Sequence, residues 1–167
     1  MMKIKWLWIF IALALGAAVY LGTSDSTKRS YINGLPGFNQ MPNREYIMQE
    51  AAYVFKDTDR DAPYPYISSP NERPGLPESV DQANVGKRFG SLRLLGTLPI
   101  GTRFRIVSVR KDETSDDASI TYEILLEDPD AHQYPRLDAY FIVDHGDGST
   151  DTPPPVLSRF AAPRDKT

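Results

Sequence analysis

Residues 103–110 read RFRIVSVR and residues 120–127 read ITYEILLE. Reading these two runs together decides the fold. In the second, Ile120, Tyr122, Ile124 and Leu126 face one way, and Thr121, Glu123 and Glu127 the other. That period of two predicts a strand with one apolar face. The first run is rich in β-branched residues, which suit a pleated surface. Phe104 and Ile106 share a face, but Val107 and Val109 shift the apolar phase by one residue. Such a shift predicts a bulge or a bend. Between the runs, KDETSDDA at residues 111–118 predicts a charged hairpin loop.

The pattern extends outward in both directions. Asp128-Pro129-Asp130 ends the second strand, and Leu137 to Val143 (LDAYFIV) predicts the next one. On the other side, Leu92 to Leu95 is short and apolar, and Pro99-Ile100-Gly101 predicts a turn. Arg44 to Phe55 (REYIMQEAAYVF) fits a helical stripe through Ile47, Ala51 and Phe55, with Asn43 as a cap. It also fits strand alternation at Ala51, Tyr53 and Phe55, so the expectation is a short helix or turn followed by a strand at Ala51 to Lys56. Residues 57–82 carry Pro63, Pro65, Pro70, Pro74 and Pro77, which predicts a long irregular loop.

Strands at this spacing give a mainly β domain: a small antiparallel meander or half-open β-barrel of SH3-like or OB-like size, preceded by an N-terminal hydrophobic helix. The run Leu98 to Thr102 with its following arginine-rich strand is similar to bacterial SH3-like domains, over too few residues to define a family. The expected organisation is a signal anchor or signal peptide at 1–22 and a flexible linker at 23–42. A β-rich domain follows at 43–146, then a Pro-rich, partly disordered tail at 147–167. No internal repeat is present.

The N-terminus sets the expected address. Lys3 and Lys5 precede Trp6 to Leu21, a run without a charge. As a cleaved leader it has a basic start, an apolar stretch and small residues Gly16-Ala17-Ala18 that would cut before Val19. As an uncleaved anchor it spans about 24 Å of helix against a hydrocarbon core of about 30 Å. Apolar residues continue past the candidate cut. Trp6, Trp8 and Tyr20 sit at its two ends as interface belts do, with Phe10, Leu13 and Leu15 between them, and these features favour the anchor. The expected location is the inner membrane, single-pass, with the C-terminal domain in the periplasm. A secreted or periplasmic protein after cleavage is the alternative.

Composition excludes several chemistries. Residues 22–167 hold 17 basic and 22 acidic residues, a balance unsuited to nucleic acid, which needs clustered positive charge. The chain has no cysteine, which removes disulfides, thiolate metal sites and thiol catalysis. It has two histidines, His132 and His145, each expected as a surface residue rather than a zinc ligand. No Gly-x-Ser-x-Gly and no phosphate-cradling glycine loop occurs. No cofactor is expected, no catalytic residue stands out, and a small envelope hydrolase is only a second alternative.

Two candidate features remain. Asp57, Asp59 and Asp61 have the spacing that opens a calcium loop, which makes a calcium-binding module the first alternative. The pattern then departs, with Ala62 where glycine is needed and Ser68 where glutamate is. A second acidic turn at Asp144, Asp147 and Asp151 is similarly incomplete. The other feature is a contact surface. Tyr64 and Tyr66 alternate with rigid prolines, a low-entropy combination for binding. The plainer reading is that they staple the loop onto the domain. Asp112, Glu113, Asp116 and Asp117 crowd the hairpin. The expected function is therefore non-catalytic binding of a basic protein partner in the envelope. The surface would combine residues 57–76 with residues 111–118. An immunity-type antagonist or a subunit or assembly factor of an envelope complex are its two versions.

Overall fold

Strands β7 (Arg103–Glu113) and β8 (Ala118–Leu126) form the longest hairpin and the centre of the sheet. The computed structural model describes residues 27–114, 116–127, 133–145 and 152–164. Register between the two strands slips between Ile106 and Ser108, the bulge that the apolar phase shift implies. On one face lie Phe104, Ile106, Val109, Tyr122 and Ile124, all fully buried in the larger of two apolar clusters. Each such side chain contributes about 1.5–3 kcal/mol by leaving water.

Eight further strands surround the hairpin among the described residues. They are β1 (Lys28–Tyr31), β2 (Glu45–Met48), β3 (Ala52–Asp57), β4 (Tyr66–Ser68), β5 (Arg88–Phe89), β6 (Leu92–Leu98), β9 (Leu137–Asp138) and β10 (Ala161–Pro163). The spatial order is β10-β2-β7-β8-β9-β4-β3-β6-β5, with β1 also on β7. All pairs are antiparallel except β4 with β9. The architecture is thus mainly β, but the sheet stays open and does not close into a barrel. Its last strand on one side, β10, carries Pro163, which an edge tolerates because no neighbour needs its missing N–H.

The bulge also marks where β7 changes partner. Its first half pairs with β2, placing Tyr46 opposite Phe104 with rings stacked at 5.4 Å. Its second half pairs with β1, placing Tyr31 opposite Arg110. At the changeover the Val109 N–H donates to Asn33 Oδ1 at 2.6 Å, and the Asn43 N–H donates to the Ile106 carbonyl at 2.7 Å. Asn43 has φ 68°, a conformation asparagine tolerates better than most residues.

The structure corrects several expectations. The expected linker at 23–42 is part of the fold over its described residues, 27–42: β1 joins the sheet, and Ile32, Phe38 and Met41 enter the main cluster. Residues 45–48 form β2, not a helix, because alternate residues Tyr46 and Met48 are buried. The proline-rich stretch contains β4 and a 3-10 turn at Gln82–Asn84. The hairpin loop is shorter than expected, since strand pairing continues out to Glu113 and Ala118. Leu137 to Val143 is strand for only two residues, then a 3-10 turn at Tyr140–Ile142. The tail is tied back: Phe160 is fully buried, β10 pairs β2, and Tyr122 Oη donates to the Pro154 carbonyl at 2.5 Å. The hydrophobic segment with Trp6, Trp8, Phe10, Leu13, Leu15 and Tyr20 lies outside the described residues. Among those described, no helix is long and apolar enough to cross a membrane.

Candidate functional site

The bulge decides what the second face of the sheet contains. Past it, Ser108, Arg110 and Asp112 point away from the main cluster and stand opposite Glu123, Thr121 and Ser119 of β8. Without the slip in register, with Val107 paired as an ordinary strand residue, Arg110 would continue the face of Phe104 and Ile106. Glu123 in turn stands opposite Asp138 of β9, and Asp138 is paired with Tyr66 of β4. A row of polar residues therefore crosses β7, β8 and β9 and ends against Tyr66 of β4.

These groups are buried and bonded to one another. Arg110 is 2% exposed and Glu123 and Asp138 are fully buried. The Arg110 guanidinium donates to both Asp112 oxygens at 2.8 and 2.9 Å, to Asp138 Oδ2 at 2.6 Å and to Glu123 Oε1 at 3.3 Å. Glu123 also accepts from Tyr31 Oη at 2.8 Å, Ser108 Oγ at 2.5 Å and Arg136 Nη1 at 2.8 Å. Burial works to raise the Glu123 pKa, but the Ser108, Tyr31 and Arg136 donors and the nearby Arg110 charge outweigh it and hold the group below its ordinary value. Asp138 behaves the other way. Burial dominates and lifts it to about 6, against the pull of Arg110 and of the Tyr140 N–H.

Over this row lies a cavity of about 270 Å³. Its base includes Arg110, Thr121 and Asp138. One wall is Asp59, Arg60 and Asp61 of the proline-rich loop, and the other is Asp112, Thr114 and Asp117 of the hairpin. The two segments singled out in the sequence thus meet around one space. Arg29 of β1 ties them together, donating to Asp61 Oδ2 at 2.9 Å and lying 3.8 Å from Asp112. The Arg60 guanidinium lies over the Tyr140 and Phe141 rings at 4.8 and 5.2 Å, a cation–π placement. Thr121 is 1% exposed, and its hydroxyl has no hydrogen-bond partner. An unmet buried hydroxyl costs about 1–3 kcal/mol.

The candidate residues separate. Asp112 and Asp117 line the cavity. Asp116 is exposed at the turn, and Glu113 pairs with Lys111 along its own strand. Tyr66 borders the cavity but is only 6% exposed, packed on Phe55 and Phe141 at 5.7 and 5.2 Å, so it is part of the second apolar cluster rather than an open contact. Tyr64 is half-buried, with the Arg136 guanidinium 5.9 Å from its ring centre.

The calcium pattern is pulled apart. Asp57 is buried and bonded to Arg73 at 2.7 Å and Ser91 at 2.7 Å, which holds its pKa down against the opposing effect of burial. Asp61 pairs with Arg29, and Asp59 is exposed at the cavity. Among the described residues no three acidic or histidine side chains gather as a metal would need. Of the second acidic turn, Asp147 and Asp151 lie outside the described residues, as does His132. His145 Nε2 lies 3.0 Å from the Tyr140 carbonyl.

Sequence reasoning missed Arg110, Thr121, Glu123 and Asp138 as a unit. The signal was present in the phase shift at Val107, which aligns SVR with the polar face of ITYE. No family model, curated protein or solved structure matches the chain.

Proposed function

We propose that this protein is a non-catalytic, membrane-tethered envelope protein whose β domain binds another protein. The segment from Trp6 to Leu21 would hold it in the inner membrane with the domain on the periplasmic side. The observation that carries the binding reading is the convergence of residues 59–61 with Asp112, Thr114 and Asp117 around one acidic cavity. Loops held on a rigid sheet are where recognition concentrates. The arginine–carboxylate row beneath fixes the hairpin wall to the base, since Arg110 reaches Asp112 and Asp138, and Arg29 holds Asp61 of the other wall. Negative charge around a cleft steers and selects a basic surface. An antagonist that neutralises a basic toxin and a subunit of an envelope machine both fit that role.

Photo-crosslinking from the full-length protein in its own membranes tests this. A crosslinking residue at position 117, beside the cavity, is expected to capture a defined protein. The same residue at position 88, on the far edge strand, is expected not to. Equal capture from both positions, or none from 117, overturns the reading. A reporter active only after translocation, fused to residues 1–22, tests the address.

A further inference from the structure

We propose that the cavity between the two acidic walls receives one cationic side chain, a lysine or arginine of the partner protein. This inference rests on the protein-binding reading above. Charge comes first. Five aspartates line the space, Asp59, Asp61, Asp112, Asp117 and Asp138, against Arg60 and Arg110. Arg110 is already spent on Asp112, Asp138 and Glu123. Arg29, from outside the lining, shares itself between Asp61 and Asp112. Asp59 and Asp117 then have no cation among the described residues. An incoming anion would meet this excess of carboxylate, whereas a cation would complete the balance.

The second observation is independent of charge. Thr121 sits at the base of the cavity, nearly fully buried, with a hydroxyl that meets no partner. A hydroxyl oxygen has two lone pairs to offer, and ammonium and guanidinium groups are donors only. Size agrees as well. The volume of about 270 Å³ lies below the range of roughly 300–1,000 Å³ usual for drug-sized ligands, and suits a single long side chain.

The test titrates isotope-labelled full-length protein in micelles with Nα-acetyl-arginine amide, Nα-acetyl-lysine amide and the neutral citrulline analogue, following backbone amide shifts. The cationic probes are expected to give saturable shifts at Thr121, Thr114 and Asp117, and the citrulline probe none. Asp59→Asn and Asp117→Asn, both at exposed positions, are each expected to weaken binding about two- to five-fold. Thr121→Val is expected to weaken it while raising the melting midpoint, because the valine removes the unmet hydroxyl. No shift at Thr121 up to on the order of 10 mM probe, where weak single-group binding is still readable, overturns the proposal. So does equal binding of citrulline, or indifference to both aspartate variants. Spermidine giving the same shifts at far lower concentration than the amino-acid amides would assign the cavity to a free polyamine and overturn it too. Capture of a protein from position 117 with no probe response would remove this inference and leave the protein-binding reading standing.

Discussion

Arg110 on β7 and Asp138 on β9 meet at 2.6 Å although β8 runs between their strands. Their backbone partners on β8 differ: Arg110 stands opposite Thr121 and Asp138 opposite Glu123. The ion pair therefore crosses β8 diagonally and braces three strands on the face away from the main core. The same guanidinium holds Asp112 at the rim, so the shape of the cavity and the stability of the sheet depend on one side chain.

Removing that side chain alone should be severe. Arg110→Met leaves Glu123 and Asp138 buried without their common cation. Breaking a buried pair in this way typically costs about 3–5 kcal/mol. The variant's urea midpoint should fall accordingly. The combination Arg110→Met, Glu123→Gln and Asp138→Asn should recover much of the loss, because no net charge is then buried. A loss under about 1 kcal/mol in the single variant, the size of an exposed pair, would mean that the row does not brace the sheet.

Asp138 should also leave a mark on the pH dependence of stability. Its pKa rises from 3.8 to about 6 on folding, so the native state holds the proton more tightly than the unfolded chain. Its contribution is fully present below pH 3.8 and is lost as pH rises through about 6. Glu123 has the opposite sign: its contribution is present above its unfolded pKa and is lost as pH falls through its lowered folded value. Urea midpoints between pH 4 and 7 for the wild type and Asp138→Asn separate the two, as an asparagine amide does not titrate. The difference in stability between variant and wild type should shift in favour of the variant as pH rises through this window. A constant difference would show that Asp138 titrates normally in the folded protein.

The bulge at Val107 should tolerate its own removal. Deleting Val107 takes out the extra residue and leaves an unbroken alternation, with Phe104, Ile106 and Val109 on one face and Ser108, Arg110 and Asp112 on the other. The arginine then still faces Glu123 and Asp138, and the cost falls on the local bend and on the changeover from β2 to β1. Circular dichroism melts should show the deletion variant folded, with a lowered midpoint. Loss of the cooperative melt would show that the sheet needs the bend itself and not only the facing that it sets.

The hairpin was legible because its two strands carry the clearest alternation in the chain, and the phase shift was visible beside it. The second face was not legible, because Glu123 among alternating apolar residues reads as a solvent-facing charge. Its burial depends on β1, β4 and β9, and each is too short or too polar to announce itself. KRSY is polar throughout, and LD is two residues. Phe38 and Met41 were hidden for another reason: Pro36, Gly37 and Pro42 mark the segment as a linker, yet the same turn-forming residues fold it into a 3-10 turn that buries both side chains. The meeting of the two acidic segments was an expectation about partners, but nothing local predicts that Arg29 would tie them together.

Gly96 offers a test of packing away from the charged row. Register slips between Val54 and Phe55, so β6 carries an extra residue beside Gly96. A Cβ at Gly96 would lie 2.2 Å from Tyr134 Oη and 3.1 Å from the ring carbon that bears it. Tyr134 Oη donates to the Leu95 carbonyl at 2.8 Å, so the ring has no slack to move without losing that bond. Gly96→Ala should therefore cost about 1–3 kcal/mol, the range for overpacking. Tyr134→Phe removes the closest atom and, by losing the hydrogen bond, should alone cost about 1 kcal/mol. Combined, the two should cost less than their sum, because the phenylalanine relieves the worst contact that the alanine creates. Strict additivity in denaturation midpoints would show that the Tyr134 ring does not pack on Gly96 in solution.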